Sequence, residues 1–253
     1  MMDLGLNGRV ALVTGASGDI GGAIATALAQ EGALVAAAWH SNEEPARALV
    51  ETIIRTGGKA AAVRIDQRDP ESIQAAVLQV ERELGDIAVL VANAVSWPAR
   101  TPETWQTLAD GFTANVAGTL TVIDAALPGM RAAGWGRVVL ISSDVVDQPM
   151  PATAVYPATK GALETAALVL AAREAPYGIL TNVVRPGFTL TERALTHPGF
   201  GQEVVDAEAA RTPTRRICTP QDVASAVAYL GSAANGHVNG EVLSVAGGRH
   251  LTR

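Results

Sequence analysis

In the run Tyr156-Pro157-Ala158-Thr159-Lys160 a phenol and an ammonium stand four residues apart, a spacing that a helix turns onto one face. A neighbouring ammonium favours phenolate over phenol, so a side chain that ordinarily titrates near ~10 moves toward use as an acid or base closer to neutral pH. Ser143 closes the run Val138-Val139-Leu140-Ile141-Ser142-Ser143, which reads as a buried parallel strand delivering hydroxyls at its C-terminal end. In an open α/β sheet that end is where ligands bind. Taken alone, the Tyr-to-Lys spacing suits a surface ion pair better than catalysis, and the surrounding elements decide between the two.

Those elements begin with the apolar run Val10-Ala11-Leu12-Val13, which passes through the turn Thr14-Gly15-Ala16-Ser17-Gly18-Asp19-Ile20-Gly21-Gly22 into Ala-rich helical sequence. A Gly-rich turn of this kind lets backbone N–H groups and a helix N-terminus meet a pyrophosphate. Further strand candidates end near Ala38, Ile65, Ala92, Ser142, Val184 and Val245, with helix-length segments at 43–55, 70–84, 114–132 and 161–175 between them. Unbroken alternation of this sort specifies a parallel sheet with helices on both faces. Residues 188–219 lack a clear period and hold Pro198, Gly199, Gly201 and Pro213, which marks either a lid or binding loop or a surface insertion without function.

With the glycine turn, the strand-end serine and the Tyr/Lys pair in this order, the chain resembles the short-chain dehydrogenase/reductase family, and within it the β-ketoacyl and polyketide-type ketoreductases. The resemblance covers nearly the whole length. It implies a single domain over residues 1–253, a Rossmann-like doubly wound parallel sheet of about seven strands, and a substrate-covering lid at 188–219. It also implies roles. Tyr156 supplies a proton, Ser143 holds the carbonyl oxygen, Lys160 lowers the tyrosine pKa and bonds the nicotinamide ribose, and Asn115 supports a water relay to that lysine. Cofactor contacts fall to Gly15, Ser17, Asp19, Ile20 and Gly21 in the turn, to His40, Ser41 and Asp66 beyond the second and third strands, and to Asn93 and Ala94 after the fourth. Tyr156, Lys160, Pro186, Gly187, Thr189 and Thr191 complete that set, with Thr191 the better match to the family threonine. Substrate contacts fall to Ser143, Trp97, Met150, Phe188 and Leu190, and no metal is expected.

Three departures from the family pattern bear on the cofactor. Asp19 follows Gly18 where a glycine is usual, so its carboxylate either caps the helix that follows or faces the pyrophosphate, where like charges about 4 Å apart repel by roughly 4 kcal/mol. Ala92 and Val95 flank Asn93-Ala94 where the family has an amide and a glycine. The second strand ends in Trp39-His40-Ser41 with no acidic residue to bond a ribose 2′-OH, which favours NADP(H) over NAD(H), although no Arg or Lys stands there to clamp the phosphate. Trp39 either stacks on adenine or packs.

Composition narrows the remaining classes. A 48% hydrophobic, 17% charged chain with net charge −6 offers neither the signature of disorder nor a nucleic-acid footprint. The start Met1-Met2-Asp3-Leu4 has no secretory pattern, no run is apolar enough to span a membrane, and the lone Cys218 forms no internal disulfide, so a cytoplasmic protein is expected. The expected activity is hydride transfer between NADP(H) and an apolar or cyclic ketone/secondary alcohol, free or carrier-bound, by a homo-oligomer, tetramer or dimer. The alternative, prompted by Asp19, Ala92 and Val95, is a nucleotide-binding or regulatory protein on the same scaffold with weakened cofactor binding.

Overall fold

A computed structural model describes residues 3–97, 103–148, 153–197 and 199–252. Seven parallel strands form one sheet: β1 (Val10–Val13), β2 (Leu34–Trp39), β3 (Lys59–Arg64), β4 (Ile87–Ala92), β5 (Gly136–Ile141), β6 (Ile179–Pro186) and β7 (Val242–Val245). Val, Ile, Leu and Ala fill them because a parallel sheet is covered on both faces; every residue of β1 and β5 is buried. The spatial order is β3-β2-β1-β4-β5-β6-β7, so the chain reverses direction of growth between β1 and β4. A crevice opens at the carboxyl ends of the strands at such a reversal.

One face of the sheet is covered by α3 (Pro70–Glu83), α5 (Gly118–Ala133) and α6 (Val155–Glu174), through Ile73, Val77, Ile123, Leu127 and Leu163. The other is covered by α1 (Asp19–Gln30), α2 (Glu43–Arg55) and α9 (Pro220–Leu230), through Ile24, Leu28, Ile53, Val223 and Val227. All seven strands end within two residues of where the alternation placed them, β6 running on to Pro186. The helices differ at their starts. α6 begins at Val155, so Pro157 falls in its first turn, where a missing N–H breaks no helical bond. The segment expected as one helix from 114 begins earlier, as α4 (Trp105–Phe112), and passes through a π-helical turn, Thr113–Ala117, into α5. Residues 188–219 are partly helical, with α7 (Glu192–Thr196) and α8 (Gln202–Arg211). The base of this excursion is pinched shut by Cys218 N–H to Phe188 O at 3.0 Å and Leu190 N–H to Cys218 O at 2.8 Å.

Candidate active site

The turn after β1 is built for close approach. Gly15 has φ +66°, and a Cβ there would stand 2.8 Å from Ala94 Cα. A Cβ on Gly21 would stand 2.3 Å from Gly15 O and 2.7 Å from Asn93 Nδ2, so α1 and the turn meet at a spacing only glycine allows. Thr14 ties this turn to β4: its hydroxyl accepts from the N–H groups of Asn93 and Ala94, both at 3.0 Å. Asn93 answers by donating its amide to Thr14 O at 3.0 Å and Gly15 O at 3.2 Å. The amide expected to touch cofactor is thus spent holding the cradle while it also lines the groove.

That groove has a volume of about 470 Å³ and is lined by Gly15, Ser17, Asp19, Ile20, Gly21, His40, Ser41, Asp66, Asn93, Ala94 and Thr191, all expected at the cofactor. Its distal end carries a cluster only half foreseen. His40 Nε2 lies 3.2 Å from one oxygen of Asp66, and Arg68 Nε lies 3.3 Å from the other. The Arg68 N–H holds the Asp66 carboxyl below its usual range; burial, next in size, opposes it, and the His40 charge and the Arg68 guanidinium add to the lowering. Arg68 is the cation found wanting at the end of β2; it arrives from the loop after β3, its guanidinium half exposed on the groove.

The helix-cap reading of Asp19 does not hold, and Asp19 itself stays on the lining of the groove. Gly18 is the N-cap residue of α1 and no side chain caps that end. The Asp19 carboxylate reaches instead across to the lid, where Oδ2 accepts the backbone N–H of Glu192 at 3.0 Å, at the first residue of α7. Thr191, the N-cap of α7, accepts from Ala194 N–H at 3.1 Å, so its hydroxyl also serves the lid helix.

Ser143, Tyr156 and Lys160 meet on the wall of a second, larger cavity of about 1370 Å³. Ser143 caps the short turn Asp144–Val146, accepting from Val145 N–H at 3.4 Å, and bonds the Tyr156 phenol. Burial pushes that phenol up to about 12; the Ser143 bond and the charge of Arg193 pull the other way, and Asp144 adds to the rise. Burial also brings the Lys160 ammonium down to about 8, with Glu164 opposing. Lys160 Nζ donates to Ile141 O at 2.7 Å and stands 5.8 Å from the Tyr156 ring centroid. The expected lowering of the tyrosine by Lys160 is not what this geometry produces: burial of the phenol dominates, and the ammonium is spent on a carbonyl. Behind them Glu164 accepts from Ser142 Oγ at 2.5 Å and pairs through both oxygens with Arg185, which also pairs with Asp147.

Asn115 is set in the π-helical turn, and both ends of its amide are used on Ser96: Ser96 N–H to Oδ1 at 2.7 Å and Nδ2 to Ser96 O at 2.9 Å. It lines neither cavity and holds the segment that carries Trp97. Trp97 packs on Tyr156 with ring centroids 4.8 Å apart, and the Arg193 guanidinium stands 4.3 Å above its ring. Phe188 meets Phe200 edge to face at 5.5 Å, completing an apolar wall. Pro186, Gly187, Thr189 and Thr191 line the same cavity. Leu190, expected there, lies outside the lining and is exposed, because the alternation of the pinched segment turns it away from its neighbours. Met150 lies outside the described residues. The same cavity is lined by Asp144, Gln148, Glu208, Arg211 and Arg249. Of these, the sequence marked only Arg211, as a cation of segment 188–219 able to read a carboxylate or carrier group; Asp144, Gln148, Glu208 and Arg249 were missed.

Three comparisons bear on this arrangement. A family model for enoyl-(acyl carrier protein) reductases matches residues 15–250. The chain belongs to the short-chain dehydrogenase/reductase family. An uncharacterized oxidoreductase of Methylorubrum extorquens is 40% identical over 96% of this chain and 98% of its own length. Versicolorin reductase 1 of Aspergillus parasiticus is 34% identical over 96% of this chain and 97% of its own. A crystal structure of a gluconate 5-dehydrogenase from Burkholderia cenocepacia, in complex with NADP and tartrate, superposes with a TM-score of 0.88 at 32% identity, covering 99% of this chain and 98% of that one. The protein is an oxidoreductase that moves hydride between a nicotinamide cofactor and a ketone/alcohol pair. As a short-chain dehydrogenase/reductase it has a site that fits the dinucleotide: Gly15 and Gly21 let the turn, α1 and the end of β4 pack closely, and the N-terminus of α1 lines the groove beside them. No helix among the described residues is long and apolar enough to cross a membrane.

Proposed function

We propose that this enzyme is a ketoreductase that prefers NADP(H), with Tyr156 as proton donor, Ser143 as the holder of the carbonyl oxygen and Lys160 as the cation beside them. The observation that carries the reading is a shared wall: Ile20, Asn93, Val95, Trp97, Thr191 and Arg193 line both the glycine-cradled groove and the cavity holding Ser143 and Tyr156. A dinucleotide held along Gly15, Ser17 and Asn93 would supply the hydride. The phenol, kept protonated by burial, donates to the oxygen that gains charge, and the Ser143 hydroxyl stabilises it. Asn115 acts at one remove, by fixing Ser96 and Trp97.

Preference for NADP(H) is supported by the absence of an acid at the end of β2 and by His40, Ser41 and Arg68 around the distal groove, with Asp66 already paired to two of them. A homo-oligomer is supported by Trp105, Leu108 and Phe112 on α4 and Leu168 and Val169 on α6, all exposed apolar side chains. A cytoplasmic location is supported by Cys218, the one cysteine of the chain, which is buried and free. The regulatory alternative is disfavoured, since the cradle, Ser143, Tyr156 and Lys160 are all present and assembled. Fluorescence titration tests the cofactor reading: NADPH should bind tighter than NADH, and equal or tighter NADH binding overturns it.

A further inference from the structure

Asp144 follows Ser143 directly and opens the short turn that Ser143 caps. Its Oδ1 receives one long bond, from Ser143 Oγ at 3.5 Å. Its Oδ2 stands 3.6 Å from where a Cβ on Gly187 would be, so the carboxylate faces the Pro186-Gly187 turn and lines the cavity beside Tyr156. The other acids on that cavity are ion-paired: Asp147 with Arg185, and Glu208 with Arg211 and Arg249, both at 3.0 Å. Among the described residues Asp144 makes no ion pair within 4.0 Å. A carboxylate has about four acceptor positions, and this one takes a single long bond on the wall of the cavity that also holds the proton donor.

We propose that Asp144 selects substrates carrying a hydroxyl on the carbon next to the reacting carbonyl: an α-hydroxyketone in one direction, a vicinal diol in the other. The inference rests on the oxidoreductase reading above. A carbonyl oxygen held by Ser143 and Tyr156 brings the substituent of its neighbouring carbon to the side where Asp144 stands. A hydroxyl there donates to the carboxylate. A carboxylate or phosphate in the same place is repelled, and a methyl leaves a buried acceptor unpaired, which costs more than a lost contact between apolar groups. The overall change balances as α-hydroxyketone plus NADPH plus a proton giving vicinal diol plus NADP⁺. Arg249 beyond the last strand and Arg185 on β6 face Asp144 and favour its ionised form, as does the Ser143 bond, while Glu208 on α8 and burial oppose it. Burial wins and raises the acid to about 6, which leaves it an acceptor at neutral pH.

The test uses the full chain and NADPH with four matched ketones: acetophenone, α-hydroxyacetophenone, α-aminoacetophenone and benzoylformate. For the unaltered enzyme kcat/KM should favour α-hydroxyacetophenone over acetophenone by at least ~10-fold, with benzoylformate the poorest. In Asp144→Ala that ratio should fall to within about threefold of unity, while Asp144→Asn, which keeps an acceptor oxygen, should retain part of it. NADPH titration confirms that each variant is folded. A ratio near unity in the unaltered enzyme, a ratio unchanged in Asp144→Ala, or a stronger preference for the amine overturns the assignment. If NADPH binds but none of the four ketones is reduced, and a wider ketone panel is also inert, the oxidoreductase reading itself fails along with it.

Discussion

Asp19 and Glu192, 173 residues apart in sequence, are joined by a 3.0 Å bond from the lid backbone to the carboxylate at the start of α1. The helix whose N-terminus faces the cofactor groove thereby holds the first turn of the helix that covers it. An acid that looked like a flaw in a phosphate-binding turn also serves as a strut between that turn and α7.

Removing that strut should loosen the lid without dismantling the cradle. In Asp19→Ala the amide of Glu192 should exchange with solvent about fivefold or more faster, corresponding to roughly 1 kcal/mol for one exposed, charge-assisted bond. Amide exchange read by NMR or mass spectrometry decides it. Unchanged protection at Glu192 would show that Thr191 alone holds the turn.

The cradle itself should tolerate no side chain. Gly21→Ala puts a methyl against Gly15 O and the Asn93 amide, both backed by the Thr14 network, so neither can retreat freely. The cost should be about 1 to 3 kcal/mol in folding stability, with NADPH affinity down by more than ~10-fold. Chemical denaturation and a fluorescence titration report the two separately, and a variant that matched the parent in both would mean the helix shifts cheaply.

At the distal groove, His40→Asp should erase or reverse the preference for NADPH, because a carboxylate there repels a 2′-phosphate and bonds a 2′-OH. Arg68→Ala should weaken NADPH and leave NADH nearly untouched. If both nucleotides lost affinity equally, Arg68 would be supporting the adenine end rather than reading the phosphate.

Asp144 also predicts a pH dependence of stability. Its acid is raised from 3.8 to about 6 in the fold, so the folded chain holds more protons than the unfolded chain across that window and stability falls as pH rises through it. Asp144→Asn removes this titration. The variant should therefore gain about 1 to 2 kcal/mol over the parent at neutral pH and little or nothing near pH 4. Thermal melts at the two pH values check the sign, and a gain confined to the acid side would contradict the burial of the carboxylate.

Period and composition carried the architecture: apolar runs ending at Val13, Ala92 and Ile141 mark strands because a sheet covered on both sides admits little else. The grouping of Ser143, Tyr156 and Lys160 on one cavity was legible because their spacing is local to one strand end and one helix turn. What escaped has a common cause. The Asp19–Glu192 bond, the Arg68 approach to His40 and the ion-paired end of the substrate cavity join segments that no local pattern relates. The π-helical turn at Asn115 was hidden for another reason, since one residue of extra winding leaves the apolar period almost unchanged. The expected drop in the tyrosine pKa failed because a spacing of four fixes the face that two side chains share but says nothing of how deeply each is buried.

The central claim is that Tyr156 passes the proton, and Tyr156→Phe tests it most directly by removing only the hydroxyl that bonds Ser143 while keeping the ring against Trp97. Steady-state NADPH consumption with a reducible ketone should fall by ~10² to 10⁴, with NADPH affinity and fold retained. A Tyr156→Phe protein that reduced the ketone at near the parental rate would contradict the account.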